Sequence, residues 1–222
     1  MRTEDRKVSV VERSINEPLH AGGESAATSA NCTAPPTYRY FLFALIASSG
    51  IGWDLWSKWA VFDWLKPQGQ FPVWKGRLLG ISIDFQLATT FNPGALWGIG
   101  QNQTWLFALL SVIAIGAIGY FVWTNHAVSS LWLTIVSGLL LAGAAGNLYD
   151  RLGMHGWKHQ DGTVVYAVRD FLDFILFGTF HWATFNFADT YLVTGAIMLV
   201  VYSFVTPVEG SASKSVASTP AT

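Results

Sequence analysis

Four stretches of this chain are long and apolar enough to cross a bilayer: residues 40–62, 104–123, 128–148 and 187–206. A membrane helix needs roughly 20 mostly apolar residues, because its backbone must satisfy its own hydrogen bonds where water is absent. That constraint predicts a membrane all-α bundle of four transmembrane helices. Composition agrees with it. The chain of 222 residues is 51% hydrophobic and 12% charged, with a mean hydropathy of +0.36; soluble domains average about 25% charged. Eleven tryptophans suit a protein that meets two lipid–water interfaces. Four spans return the chain to the side from which it started. The second and third are separated by Thr124-Asn125-His126-Ala127, which predicts a tight antiparallel hairpin.

The membrane domain is expected over 39–206. Residues 1–38 form a polar arm, and 21–37 are rich in Gly, Ala, Ser, Thr and Pro, a composition that reads as disordered. The arm contains no apolar core of signal-peptide length. Residues 207–222 read as a second disordered tail. Cys32 lies in the arm and reads as an ordinary exposed thiol. As the single cysteine it excludes an intramolecular disulfide. A net charge of −1 argues against a nucleic-acid partner.

Both long connections, 63–103 and 149–186, lie on the side opposite the termini. Ile81, Ile83, Phe85 and Leu87 alternate with Ser82, Asp84, Gln86 and Ala88, the period of a half-buried strand. Asp161-Gly162 signals a hairpin turn, and Thr163-Val164-Val165-Tyr166 after it favours strand. A small β-sheet built from both loops is expected at the membrane surface. Charge does not orient the bundle. Arg2, Arg6, Lys7, Arg13, Arg39 and Lys214 on one side balance Lys66, Lys75, Arg77, Arg151, Lys158 and Arg169 on the other.

Polar residues inside such a chain are expensive and point to function. Asp54 and Lys58 share a helix face at i and i+4, as a structural ion pair or as an orienting device. Asn92-Pro93-Gly94 makes a turn, and the small residues after it permit close approach of backbone or ligand. Asn147, Asp150 and Arg151 share a face at the end of the third span, as the wall of a polar pocket or as a helix cap. Asp170 and Asp173 follow the second-loop strand, interleaved with Phe171, Leu172 and Phe174. Asn186 and Asp189 open the fourth span, where both are good cap residues. Two carboxylates that share a site cannot both ionise easily, so the pair holds one proton. One member can then deprotonate water while the other polarises a carbonyl. That is aspartyl peptide hydrolysis. It needs no cofactor and no metal, and no Cys/His cluster has zinc spacing.

These blocks together resemble the bacterial lipoprotein signal peptidase, or signal peptidase II, family. The match runs in order from Tyr40 to Phe204. It comprises Asp54-x-x-x-Lys58, Asn92-x-Gly94-Ala95 with Trp97-Gly98, Gly146-Asn147-x-x-Asp150-Arg151, Val168-x-Asp170-Phe171 and Phe185-Asn186-x-Ala188-Asp189. The resemblance implies a membrane aspartyl endopeptidase that cleaves signal peptides from prolipoproteins on the N-terminal side of a diacylglyceryl-modified cysteine. By motif position Asp170 and Asp189 are the catalytic pair. Asn92, Asn147, Arg151 and Asn186 hold substrate and orient the carboxylates. Asp54, Lys58 and Asp150 support them, with Gly94 and Ala188 in the same blocks. The resemblance also implies an inner-membrane protein with both termini cytoplasmic, and a small extracytoplasmic sheet that cradles substrate beside the site. Its partners are lipidated precursors and membrane lipids.

Three departures stand out. The polar arm is long. Eighteen residues separate Arg151 from Asp170, so 153–165 reads as an insertion that could serve as part of a lid if it forms a hairpin. Leu96 occupies a position where a smaller residue is common. Asp173 is a rival to Asp170. A small transporter or channel subunit with a polar rim site is the alternative from another class, and a scaffold or inactive relative is a third.

Overall fold

The structure is a computed structural model and describes residues 34–94, 100 and 103–206. Elements follow in the order α1 (Tyr38–Leu65), β1 (Gln70–Leu78), β2 (Ile81–Asn92), α2 (Thr104–Trp123), α3 (Leu131–Arg151), β3 (Val168–Leu176), β4 (Phe180–His181) and α4 (Phe187–Val205). Cys32, most of the N-terminal arm, the stretch with Leu96, Trp97 and Gly98, and the C-terminal tail lie outside the described residues.

The helices form where the apolar stretches predict them. α3 starts three residues later than expected, because Ser130 caps it by accepting from the Leu133 amide at 3.1 Å. The turn from α2 is correspondingly longer. α1 begins beside that turn: Arg39 donates to the Val128 carbonyl at 3.1 Å, and the Tyr40 hydroxyl donates to Asn125. α2, α3 and α4 are each long and apolar enough to cross a membrane. α1, at 28 residues, is long enough but is interrupted by Asp54 and Lys58.

α3 is the hub on which the other helices pack. No α2 residue is buried, although α2 is the most apolar of the helices. A strongly apolar helix that packs on one neighbour and buries no residue fully suits lipid rather than water. Close approach to α3 depends on small residues. A Cβ on Gly143 would meet the Ala188 carbonyl at 2.5 Å, and one on Gly146 would meet Asp54 Oδ2 at 2.5 Å. Two glycines thus bring α1 and α4 against one face of α3.

The four strands form one antiparallel sheet in the order β1-β2-β3-β4, two from each long connection. β2 contains the period-two segment. Leu79 and Gly80 join β1 to β2 with φ of 50° and 83°, the left-handed pair of a tight hairpin. β1 was not anticipated, because Pro72 and Gly76 break its pattern; both are tolerated at a sheet edge. Phe85, Phe174 and Phe185 stack in sequence, with ring centroids 4.8 Å and 5.9 Å apart.

One expectation is corrected. Thr163–Tyr166 is not a strand. Gly162, at φ 84°, makes the expected turn, and His159 N donates to the Thr163 carbonyl at 2.8 Å. Pairing reduces to a single bridge, Lys158 with Val164. Gly153 and Gly156, both at positive φ, bend the opposing chain away before a ladder can grow. The short hairpin packs its Trp157 ring against Phe62 of α1 and Phe91 of β2, and His155 also lies against Phe91. The 153–165 segment therefore braces the end of β2 next to Asn92.

Candidate active site

β3 and α4 converge through one residue. Phe171 and Leu172 amides donate to the Phe185 carbonyl at 3.0 Å and 2.8 Å, and the Phe185 amide donates back to Leu172 at 3.0 Å. The chain just before α4 is thereby fastened to β3 one residue beyond Asp170. Asn186 comes next and caps α4. Its Oδ1 accepts from the Asp189 amide at 3.0 Å, and Asp189 Oδ2 accepts from the Asn186 amide at 3.2 Å. This reciprocal cap leaves the Asn186 side-chain nitrogen free to reach Asp170 Oδ1 at 2.6 Å. Asn186 is bonded to both carboxylates at once.

Each carboxylate has a second amide donor. Asn92 Nδ2 donates to Asp170 Oδ2 at 2.9 Å, and Asn147 Nδ2 donates to Asp189 Oδ1 at 2.7 Å. Both amides are oriented by what holds their oxygens. Asn92 Oδ1 accepts from the Gly94 amide at 3.0 Å. Asn147 Oδ1 accepts from Lys58 Nζ at 3.1 Å and Asn186 Nδ2 at 3.2 Å. Ala188 is fully buried, and its amide donates to Asp54 Oδ1 at 2.9 Å. Asp54 and Asp150 flank Lys58 Nζ at 2.7 Å and 3.3 Å. Arg151 points its Nη2 toward the Gly94 carbonyl at 3.5 Å and lies over the Phe107 ring, so it reaches the loop after β2. All eleven site residues expected from sequence are among the described residues and lie in or beside this network.

Asp173 is separate. It lies three positions from Asp170 in a strand, so it faces the opposite side of the sheet. There it accepts from Gln86 at 2.6 Å and lies 3.8 Å from His181.

Asp170 is 1% exposed. Burial and the neighbouring Asp189 push its carboxyl up to about 8, against the opposing pull of the Asn92 and Asn186 donors. Desolvation outweighs two hydrogen bonds, so the site favours one proton on Asp170. The arrangement provides a proton-holding acid beside a second carboxylate that is partly open. Among the described residues no group of three His, Cys, Asp or Glu side chains is placed to hold a metal ion.

Arg169 was missed by sequence reading. It is buried and makes a forked bond to Asp150 at 3.1 Å and 2.8 Å. Its only sequence signal is a positive charge beside Asp170 in a strand that also carries Asp173.

Comparison with known proteins points one way. The profile of the family described as Signal peptidase (SPase) II matches residues 46–205. A lipoprotein signal peptidase of Rhodopirellula baltica is 40% identical over 186 residues, covering 81% of this chain and 78% of the relative. Its counterpart in Geobacillus thermodenitrificans is 30% identical over 178 residues, covering 78% and 98%. Two bacterial membrane enzymes solved by the in meso method share the fold. The 2.3 Å structure gives a TM-score of 0.56 at 26% identity, covering 73% of this chain and 87% of its own. The 1.9 Å structure gives 0.59 at 23% identity, covering 79% and 99%.

Proposed function

The chain belongs to the signal peptidase II family, and from that premise we propose that Asp170 and Asp189 are the catalytic pair of a membrane aspartic peptidase. The protein is a hydrolase of bacterial membranes that removes signal peptides from prolipoproteins. Its cut falls on the N-terminal side of a diacylglyceryl-modified cysteine. The single observation that carries the residue assignment is Asn186, bonded to Asp170 through its side chain and to Asp189 through its cap.

In the proposed reaction Asp189 takes a proton from water, and the resulting hydroxide attacks the scissile carbonyl. The proton on Asp170 is donated toward the carbonyl oxygen as charge develops there. Collapse of the tetrahedral intermediate breaks the C–N bond, and a carboxyl returns a proton to the leaving amine. Asn92, Asn147 and Asn186 hold the two carboxylates against mutual repulsion. Arg151 and Gly94 bind the substrate backbone beside them. No cofactor or metal takes part.

All four helices cross the inner membrane. α1 is tolerated there because its charges are paired on the side that faces α3. Both termini are cytoplasmic, and the sheet and the site are extracytoplasmic. Substrate enters from lipid, with its acyl chains and apolar segment remaining in the bilayer. No nucleic acid is involved. Nothing found favours the transporter alternative.

The test is cleavage of a diacylglyceryl-modified precursor by detergent-purified protein. Asp170→Asn and Asp189→Asn should each reduce the rate by at least about a thousandfold, with normal membrane insertion. A wild-type rate in either variant removes that residue from the reaction.

A further inference from the structure

The motif Val168-x-Asp170 leaves one position open, and in this chain Arg169 fills it. Arg169 is 3% exposed. Its Nε and Nη2 donate to Asp150 Oδ1, and its backbone amide donates to Asp150 Oδ2 at 3.0 Å. Asp150 thus holds both the side chain and the backbone of the residue preceding Asp170. Asp54, Lys58 and Asp150 are all fully buried. With Arg169 they make a closed set of two anions and two cations.

Lys58 is where this set meets the site. An ammonium has three protons and no acceptor. Nζ donates to Asn147 Oδ1 at 3.1 Å, and Asp54 and Asp150 lie beside it as ion pairs at 2.7 and 3.3 Å. Only an oxygen can face Lys58, so the Asn147 amide is forced to turn its nitrogen toward Asp189. Without Arg169, Asp54 and Asp150 would compete for a single ammonium in a medium where charges interact strongly. Lys58 would be drawn to Asp150 and away from Asn147.

We infer that Arg169 is a positioning residue for the carboxylate pair: it neutralises Asp150, keeps Lys58 bonded to Asn147, and so fixes the amide that serves Asp189. The inference rests on the assignment of Asp170 and Asp189. It adds a residue that touches neither of them through its side chain.

A double-mutant cycle tests it, with wild type, Arg169→Met, Asp150→Asn and the double variant assayed for kcat and KM on lipidated precursor. Each single variant leaves one buried charge unpaired. Each should lose about tenfold to a hundredfold in kcat, a loss of the size seen when partners that orient metal ligands are removed, with KM changed by no more than about twofold. The double variant removes both charges and leaves Asp54 and Lys58 balanced. It should recover most of the rate, as should Arg169→Lys, which keeps the charge. A purely structural role would lower the yield of folded protein without this pattern in kcat. Full activity in Arg169→Met overturns the inference. So does a double variant no better than the worse single. If Arg169→Met fails to fold but the double variant folds and cleaves, the charge-balance reading is supported; if neither folds, it is overturned. Asp170→Asn is assayed in parallel. Cleavage retained there removes the carboxylate pair itself, whatever the cycle gives, so the two failures are separable.

Discussion

Asn147 donates its side-chain nitrogen to Asp189 Oδ1 at 2.7 Å, joining the last turn of α3 to the first turn of α4 across 42 residues of sequence. The same amide receives Lys58 and Asn186 on its oxygen. One side chain therefore connects the buried ion set of α1 and α3 with both members of the carboxylate pair. Disturbing any of its partners should be felt at Asp189.

Asn186 has two separable duties. Asn186→Ser keeps an oxygen for the helix cap but loses the donor to Asp170; Asn186→Ala loses both. Thermal unfolding in detergent should place the alanine variant about 1 kcal/mol below the serine variant. Both should cleave precursor at least about a hundredfold more slowly than wild type. Equal stability of the two would remove the capping role.

The proton on Asp170 predicts a pH dependence of stability. Its carboxyl is pushed up to about 8 in the folded protein, against an ordinary value of 3.8. The folded state therefore holds a proton that unfolding releases. The stability this provides is complete below the unfolded value and is lost as pH rises through the folded one, so wild-type stability should fall across that window. Asp170→Asn does not titrate. Its Tm relative to wild type should rise by roughly ten degrees from about pH 5 to about pH 8. A difference that stays flat with pH would mean that Asp170 is ionised throughout. Cleavage by the wild type should also decline above about pH 8, as Asp170 loses its proton.

Asp173 and Asp170 should behave in opposite ways. Asp173 accepts from Gln86 on the far side of β3, and an asparagine there can keep that contact. Asp173→Asn should cleave within about threefold of wild type, a small change in barrier. Near-complete loss of cleavage would favour Asp173, the rival, over Asp170 as the partner of Asp189.

Gly146 and Gly116 should also differ. A Cβ at Gly146 would lie 2.5 Å from Asp54 Oδ2 and 3.3 Å from the Ala188 Cβ, whereas one at Gly116 meets nothing within 4 Å. Gly146→Ala should destabilise by about 1–3 kcal/mol through overpacking, and slow cleavage because Ala188 and Asp189 move together. Gly116→Ala should be tolerated, since alanine favours helix over glycine. Thermal unfolding in detergent separates the pair of variants, and equal behaviour would show that the helices do not touch closely at Gly146.

Much of this was legible in the sequence, for identifiable reasons. Apolar runs mark α2 and α4 to within a residue, since length and hydropathy are local properties. β2 is legible because apolar and polar side chains alternate along it, although in the fold both of its faces are half-buried. The site residues are legible as motif blocks, but their pairing is not: Asn92 finds Asp170 across 78 residues, and no local pattern encodes that contact. Arg169 escaped notice because its partner Asp150 lies at the end of a helix 19 residues earlier, with the 153–165 hairpin segment between them. Thr163–Tyr166 has strand propensity, but Gly156 and Gly153 deny it a partner of useful length. Propensity describes a segment, whereas a ladder needs two.

The reciprocal cap at the start of α4 constrains how this enzyme can change over generations. Helix geometry demands three steps from Asn186 to Asp189, and so does the proposed chemistry, so a codon gained or lost there would break the cap and the carboxylate network together. Trp182 is tied to β3 by its amide, which donates to the Phe174 carbonyl at 2.8 Å, but Ala183 and Thr184 between it and Phe185 carry no such double duty. Lineages are free to lengthen or shorten the chain on that side, and it is there that length polymorphism among descendants of this gene should accumulate.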